Sequence, residues 1–437
     1  MKKLGVAILG LGVVGGGTYK ILTDNKEYFK KTQKLDITVE SVLERNKQRA
    51  VDLGIEEEKI ASSIEEVISN PAVDVVVEVI GGLEPARTFV LKALMSGKTV
   101  VTSNKELVCK HWYELEAEAK KMNAGLLFEA SCVGGVPIIR TLTEGTQANR
   151  ILSLVGIING TTNYILTKME QEGSDYETAL KEAQHLGYAE FNPTADVEGF
   201  DAAYKLSILS SLAFSKRIPL ENVYREGITK ITSEDIAYGK KLGYKIKLLA
   251  IGKNTDAGIE VRVHPAFVPN GSMIASVNDS FNAVKLTGDS VGEVMLYGRG
   301  AGALPTGSAI VSDIIFAGKH PEISYATFEN TKEADKNTKF VSDFTTRYFI
   351  RLTVEDKSGV LSKIAGVFAK YGVSLKEVKQ DVYRENGVPL VIITHDTQEF
   401  AVRKTLEKLE AMEEVFSVDS LILSLIHISE PTRRVVI

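Results

Sequence analysis

The first fifteen residues, MKKLGVAILGLGVVG, constrain the fold more than any other stretch of the chain. An apolar run, Leu4 to Leu9, meets Gly10-Leu11-Gly12-Val13-Val14-Gly15, and a helix-like segment, Gly16 to Leu22, follows. Strand, G-x-G-x-x-G, helix is the order that a dinucleotide-binding βαβ unit requires. Gly10 permits the tight turn, Gly12 lets the main chain approach a pyrophosphate, and Gly15 lets the helix pack close to the strand. The helix N-terminus then offers free amides and a positive dipole end to the phosphates. Basic residues before an apolar stretch also resemble a secretory signal, but the glycine pattern speaks for the nucleotide unit.

The elements that follow continue a parallel sheet. Ile37 to Leu43 reads as a strand that ends in Glu44-Arg45-Asn46. An acidic residue there would hold the ribose 2′-hydroxyl of NAD, and an arginine the 2′-phosphate of NADP. Both charges are present, and Arg45 favours NADP. Asp74 to Ile80 is nearly all apolar, as a strand buried on both faces should be. A helix over Ala86 to Met95 and a strand over Thr99 to Thr102 come next, and the strand ends in Ser103-Asn104-Lys105. Open α/β sheets bind ligands at the carboxyl ends of their strands, which makes Lys105 a candidate for the active cleft. Leu126 to Phe128 leads into a loop, Glu129 to Pro137, whose carboxylate and carbonyls suit a hard cation. Cys132 within it is either a nucleophile or a small buried residue.

The densest chemistry lies in GYAEFNPTADVEGFDAAYK, residues 187–205. Gly187, Pro193 and Gly199 break regular structure, and a helical period begins at Gly199. Glu190, Asp196, Glu198, Asp201 and Lys205 fall in this stretch. Asp201 and Lys205 are four apart, so they share one helix face. A carboxylate beside an ammonium can hold a substrate and pass a proton, although such pairs are common surface decoration.

Further elements are a strand over Ser153 to Ile158, a helix from about Tyr164, a helix over Tyr176 to Leu186, and β-rich runs at Ile259 to Val263 and Asn282 to Leu286. A second glycine loop, Gly298 to Gly302, precedes a helix over Thr306 to Phe316 that should return to the nucleotide domain. Ser324 to Asp343 is polar and reads as a linker. Beyond it, strand Arg347–Val354, a helix ending at Tyr371, strand Val373–Val378, a turn at Asn386-Gly387, strand Pro389–Thr394, helix Gln398–Leu409 and strand Val415–Leu423 make the βαββαβ plan. The tail after Leu423 continues no pattern.

The 437 residues suggest about two to four domains. The net charge of −5 argues against a nucleic-acid partner. No apolar run approaches a membrane span of roughly 18 residues. Two cysteines exclude a disulfide framework and fit a reducing, cytoplasmic setting. The six histidines lack metal-ligand spacing.

Taken together, GLGVVG (10–15), TSNKELV (102–108), FEASCVGGVPI (128–138), GIINGTTNYI (156–165), residues 187–205 and YGRGAGALPTGSAIVSDI (297–314) resemble homoserine dehydrogenase, in the bacterial form with a C-terminal ACT domain. The resemblance runs from Met1 to about Leu423. It implies an α/β chain with a Rossmann-type domain (1–131, with a return helix near 305–320), an α+β catalytic and dimerisation domain (132–304), a linker (321–346) and a ferredoxin-like ACT domain (347–423), followed by the 424–437 tail.

The implied reaction is the reversible reduction of L-aspartate 4-semialdehyde to L-homoserine with NADP or NAD, in threonine, methionine and isoleucine synthesis. Gly10, Gly12, Val13, Val14, Gly15, Arg45, Lys105 and Gly302 would approach the cofactor. Glu190 and Asp201 would bind the substrate amino group, with Gly187 lining the site. Lys105, Asp201 and Lys205 would carry catalysis, with Lys205 as proton donor in the reducing direction. Carbonyls of Glu129, Cys132, Gly134 and Val136 would hold a sodium-like cation. Two lysines in a cationic, partly dry site should have lowered pKa values. The ACT domain implies an amino-acid effector, with threonine the natural candidate, at the Lys357–Leu361 turn. A homodimer or homotetramer is implied.

Two other readings stay open on the residues alone. One is an acylating semialdehyde dehydrogenase that forms a thioester on Cys132. The other is a non-catalytic amino-acid sensor on a degenerate dehydrogenase body.

Overall fold

A computed structural model describes residues 1–320, 325–330, 335–380 and 387–424. The tail beyond Ser424 and Asn386 of the expected turn lie outside the described residues.

Six parallel strands form the first sheet, in the order β3-β2-β1-β4-β5-β6. They are β1 (Lys2–Leu9), β2 (Leu35–Leu43), β3 (Ile60–Ala61), β4 (Val75–Glu78), β5 (Thr99–Thr102) and β6 (Leu126–Leu127). Val75, Val76 and Val77 are all buried, because helices cover both faces of the sheet. The chain order reverses between β1 and β4; the carboxyl end of β1 carries the glycine turn, and that of β5, one strand beyond β4, leads to Lys105. The first helix, Val13–Asp24, begins at Val13 rather than Gly16 and takes three of the glycines into its first turns.

The second sheet contains β7 (Ile151–Ile157), β8 (Tyr224–Arg225), β9 (Tyr244–Thr255), β10 (Gly258–Pro269), β11 (Phe281–Gly288) and β12 (Gly292–Arg299). It continues through β13 (Thr345–Val354), β14 (Leu375–Gln380), β15 (Val388–Thr394), β16 (Thr397–Gln398) and β17 (Val415–Ser424). Its main path is β12-β11-β7-β9-β10-β17-β13-β15-β14. The last four strands on that path, with helices Val360–Lys370 and Glu399–Glu410, are the βαββαβ unit. This unit is not a separate sheet. β17 pairs with β10 in parallel, Ala266 opposite Leu423 and Phe267 opposite Ser424, and so stitches the C-terminal unit to the middle one.

The helix Ala303–Lys319 leaves the second sheet and returns to the first. It inserts Ala309, Ile310, Val311 and Ile314 into the core built on Leu4, Val6 and Ile8. It crosses the first helix closely: a Cβ on Gly17 would stand 2.3 Å from the Ala303 carbonyl oxygen.

The polar stretch read as a linker is docked where it is described. Asn330 is buried, accepting from the Arg217 amide at 2.7 Å and donating to its carbonyl at 3.2 Å. Phe328 packs edge-on against Trp112 with ring centroids 5.1 Å apart, and Trp112 meets Phe128 on its other side at 5.0 Å. Phe340 bridges to Ile259 of β10. Aromatic side chains and one amide thus anchor a segment of polar composition.

A buried ion cluster also clamps the C-terminal unit. Arg351 of β13 reaches Glu234 at 2.9 Å, Asp235 at 3.0 Å and Asp419 at 3.3 Å. Asp235 closes the capping box of the helix Ser233–Leu242 with Thr232.

Candidate active site

The site forms where the carboxyl ends of the first sheet meet the helix Phe200–Phe214. Glu78, at the end of β4, is fully buried and accepts from the amides of Ile80 at 2.8 Å and Gly81 at 3.2 Å and from the Thr102 hydroxyl at 2.6 Å. That fixes the loops after β4 and β5 against each other. Asn104 caps the next helix through the Leu107 amide at 3.0 Å, and Lys105 is its first residue. Lys105 projects across to Asp201, with its Nζ 3.3 Å from Oδ1.

Lys205 donates to Asp201 Oδ2 at 2.7 Å and to the Ile158 carbonyl at 2.9 Å. One buried carboxylate therefore aligns two ammonium groups, one on each oxygen. Asn159 completes the arrangement. Its Nδ2 donates to Asp201 Oδ2 at 2.9 Å and Asp196 Oδ1 at 2.7 Å, while its Oδ1 accepts from the Thr162 amide at 2.8 Å. The helix that follows consequently starts at Gly160 rather than near Tyr164. Asn before a helical run is a readable cap, but its amide bridge between two distant carboxylates is not legible in spacing.

Burial works against the charge of Asp201, yet Lys205 and Lys105 hold its carboxyl well below the usual range. Asp196 is pushed up by burial and by the neighbouring Asp201 charge. Lys105 is raised, chiefly by Asp201 and further by Asp196 and Glu190, although burial opposes this. The expected lowering is therefore wrong for Lys105. The carboxylates around it favour its charged form more than desolvation and the second lysine disfavour it.

Glu190 and Gly187 lie in the exposed loop before this helix, with Gly187 at φ +76° after the helix Tyr176–His185. Phe191 beside Glu190 is 98% exposed.

In the glycine turn, Gly10 has φ +98° and Gly15 lies so close that a Cβ would stand 2.0 Å from the Gly10 carbonyl oxygen. Among the described residues, no atom beyond its chain neighbours lies within 4 Å of where a Gly12 Cβ would be, so the main chain there is open to a ligand. Val13 is exposed at the same mouth, and Val14 is half-buried. Gly302, at φ +127°, precedes the return helix, which packs on the first helix at Gly17 and Thr18. Glu44 accepts from the Leu11 amide at 2.6 Å and the Asn46 amide at 2.9 Å, while Arg45 is exposed. Burial opposes the charge of Glu44, but these amide bonds and nearby arginines lower its pKa.

The loop from Glu129 to Val136 places Val133 and Gly134 at φ +57° and +49°. The Glu129 carboxylate turns away, accepting from the amides of Ile139 at 2.9 Å and Arg140 at 2.8 Å. Burial and the neighbouring Asp313 raise its pKa to about 7. Cys132 is fully buried, and burial pushes its thiol up to about 12. A buried thiol of that kind has almost no thiolate at neutral pH and suits a packing role, not a thioester nucleophile. A cavity of about 600 Å³ opens behind this loop, between Trp112, Phe128, Arg140 and Phe328, and is lined by none of Lys105, Asp201 and Lys205.

The comparisons with known proteins agree along the chain. The family models that match are homoserine dehydrogenase over residues 137–315, its NAD-binding domain over 10–129, and the ACT domain over 348–414. A homoserine dehydrogenase of Bacillus subtilis is 42% identical over 424 residues, 96% of this chain and 98% of that protein. One of Pseudomonas aeruginosa is 40% identical over 95% of this chain and 97% of its own. The crystal structure of a homoserine dehydrogenase from Thiobacillus denitrificans superimposes with a TM-score of 0.90 at 40% identity, covering 97% of this chain and 98% of that one. A hyperthermophilic archaeal homoserine dehydrogenase in complex with NADPH aligns at a TM-score of 0.63 and 29% identity, over 72% of this chain and 97% of its own. With a Rossmann-type sheet, a two-lysine site on one aspartate and a C-terminal ACT domain, this chain belongs to the homoserine dehydrogenase family, NAD(P)-dependent oxidoreductases that interconvert L-homoserine and L-aspartate 4-semialdehyde.

Proposed function

We propose that Lys205 is the proton donor and Lys105 the fixed positive charge in reduction of the semialdehyde. The observation that carries this is the single carboxylate, Asp201, gripping both ammonium groups. A bound nicotinamide supplies the hydride, and the protein supplies the rest. The developing alkoxide needs positive charge and then a proton. Lys205, held between Asp201 and the Ile158 carbonyl, presents an N–H to the substrate oxygen. Lys105 stays charged because its pKa is raised, and stabilises the oxygen without giving up its own proton. Glu190 offers an exposed carboxylate to the substrate ammonium. Asp201 Oδ1, held more loosely by Lys105, is the second acceptor, and Gly187 lines the loop.

NADP is the favoured cofactor. The Glu44 carboxylate is spent on the amides of Leu11 and Asn46, whereas Arg45 is free to face a 2′-phosphate in solvent. Gly10, Gly12, Val13, Val14, Gly15 and Gly302 would frame the pyrophosphate and nicotinamide. A sodium-like cation would take the carbonyls of Glu129, Cys132, Gly134 and Val136. Glu129 and Val136 each already accept one amide, at 3.4 and 2.8 Å, which leaves each carbonyl a second lone pair. An all-oxygen, uncharged set fits a monovalent cation.

In the ACT domain, Gly359 at φ +95° opens the helix Val360–Lys370, and the Lys357–Leu361 turn would receive threonine. Sheet edges at β12 and β14 support a homodimer or homotetramer. The setting would be the cytoplasm; among the described residues no helix is long and apolar enough to cross a membrane.

The test is turnover of L-homoserine with each cofactor, read by nicotinamide absorbance, for the parent and Lys205→Ala. The parent should turn over faster with NADP, and the variant should lose about two to four orders of magnitude in kcat. A variant within threefold of the parent would remove Lys205 from proton transfer.

A further inference from the structure

The segment that carries Asp196 and leads into the helix of Asp201 does not stand on its own. It is pressed against β8 and the residues just after it. The Arg225 guanidinium donates to the Glu198 carbonyl and stacks on the Phe200 ring, 3.5 Å from its centroid. The Ile228 amide donates to the Val197 carbonyl at 2.8 Å. Gly227 fits so tightly that a Cβ would meet the Val197 carbonyl oxygen at 2.3 Å and the Glu198 Cα at 2.6 Å. Thr229 donates to the Glu198 carboxylate at 2.9 Å. All these contacts lie within five residues of Asp201.

The other side of β8 faces the ACT domain. Arg403, on the helix Glu399–Glu410, donates to Glu226 at 2.6 Å and to the Tyr224 hydroxyl at 2.5 Å, and Tyr224 in turn donates to Glu226. Arg403 also bonds Glu399 at 2.6 Å, and Glu399 accepts from Tyr348 of β13. Tyr224 packs edge-on against Phe344, at the entry to the ACT domain, with centroids 5.6 Å apart. Arg403 therefore grips Tyr224 and Glu226, the residues on either side of Arg225, while Arg225 itself holds Glu198 and Phe200.

We propose that Arg225 is a positioning residue for the substrate loop, and that Arg403 of the ACT domain sets its placement through Glu226 and Tyr224. The chain of contacts is continuous: Tyr348, Glu399, Arg403, Glu226, Arg225, then the Glu198 carbonyl and Phe200 at the start of the helix that carries Asp201 and Lys205. A shift of the ACT helix along its axis would move β8, and β8 would move the main chain that aims Asp196 and Asp201. Coupling of this kind shows as kinetic dependence in series. It rests on the assignment of residues 190–205 to substrate binding.

The test measures KM and kcat for L-homoserine, KM for the cofactor, and the melting temperature, in the full chain. Arg225→Met should raise the homoserine KM about tenfold, leave the cofactor KM within twofold, and change kcat less than KM. Arg225→Lys, which keeps a donor for Glu198, should recover part of the loss. Arg403→Met, far from the reacting atoms, should raise the same KM about threefold. The double variant should be no worse than Arg225→Met, because the two act in one line.

Multiplied effects in the double variant, or an unchanged KM in Arg403→Met, would overturn the coupling. If Arg225→Met does not fold, Glu226→Gln, which keeps the volume and weakens the grip of Arg403, should raise KM as Arg403→Met does; an unchanged value there also overturns it. Glu190→Gln separates the premises. If it leaves the homoserine KM unchanged, the substrate assignment fails whatever Arg225 does. If it raises KM while Arg225→Met does not, only the positioning role fails.

Discussion

His264 shows how much a single side chain can tie stability to pH. It is fully buried in β10, and burial, with the nearby Arg262 charge, lowers its pKa from 6.5 to about 3. It stays neutral in the folded protein while its unfolded counterpart takes a proton below about 6.5. Unfolded chains then bind more protons than folded ones, so its contribution is fully present above that pH and is lost as pH falls toward 3. His264→Gln should therefore lose less melting temperature between pH 6.5 and 4 than the parent; equal slopes would show that other groups set acid stability. The site residues read from sequence differ in how well local chemistry foretold them. Asp201 and Lys205 were legible because helix period alone puts them together. The pairing of Lys105 with Asp201 spans 96 positions and needs the fold. The direction of its pKa was misjudged because two lysines were counted while the three carboxylates around them were not.

Among elements, the close crossing of the first helix and the return helix is the most exacting. Gly17 stands against the Ala303 main chain, and a Cβ on Gly307 would lie 3.0 Å from the Thr18 amide nitrogen. Main chain cannot swing aside as a side chain can. Gly17→Ala should cost about 1–3 kcal/mol in urea unfolding. It should also raise the cofactor KM, since the first helix, which starts from the glycine turn, would be pushed away from Ala303. An unchanged cofactor KM would mean the turn is held by β1 and β4 alone. The helix Ala86–Met95 and strand Thr99–Thr102 were predicted with the bounds observed, because a clean period and glycine or polar stops mark both ends. The start of the first helix was misplaced because glycine was read as turn chemistry, whereas packing against β1 and the return helix makes helical glycines favourable there. Contacts of that kind carry no local signal.

On the scale of the whole molecule, the ACT domain is fastened at several points rather than tethered. β17 extends the catalytic sheet, Phe340 bridges to β10, and Arg351 lies in a buried cluster of three acids. Arg351→Met would leave Asp235 buried without its main counter-charge, at a cost of about 3–5 kcal/mol. The ACT unit should then melt ahead of the rest in calorimetry, and a single unchanged transition would show the clamp to be redundant. The order of alternating and amphipathic segments predicted the βαββαβ plan but not this union, because strand pairing between distant segments leaves no periodic mark.

The chain contains one tryptophan, and the fold puts it at a telling place. Trp112 is 6% exposed, sandwiched between Phe128, just before the Glu129–Pro137 loop, and Phe328 of the segment leading to the ACT domain, with the Arg217 guanidinium 5.5 Å from its ring centroid. Every photon emitted by indole in this protein comes from that junction. Lifting of the 325–330 segment would wet the ring, so a red shift and easier quenching by iodide would report the loosening of the two halves without any attached label.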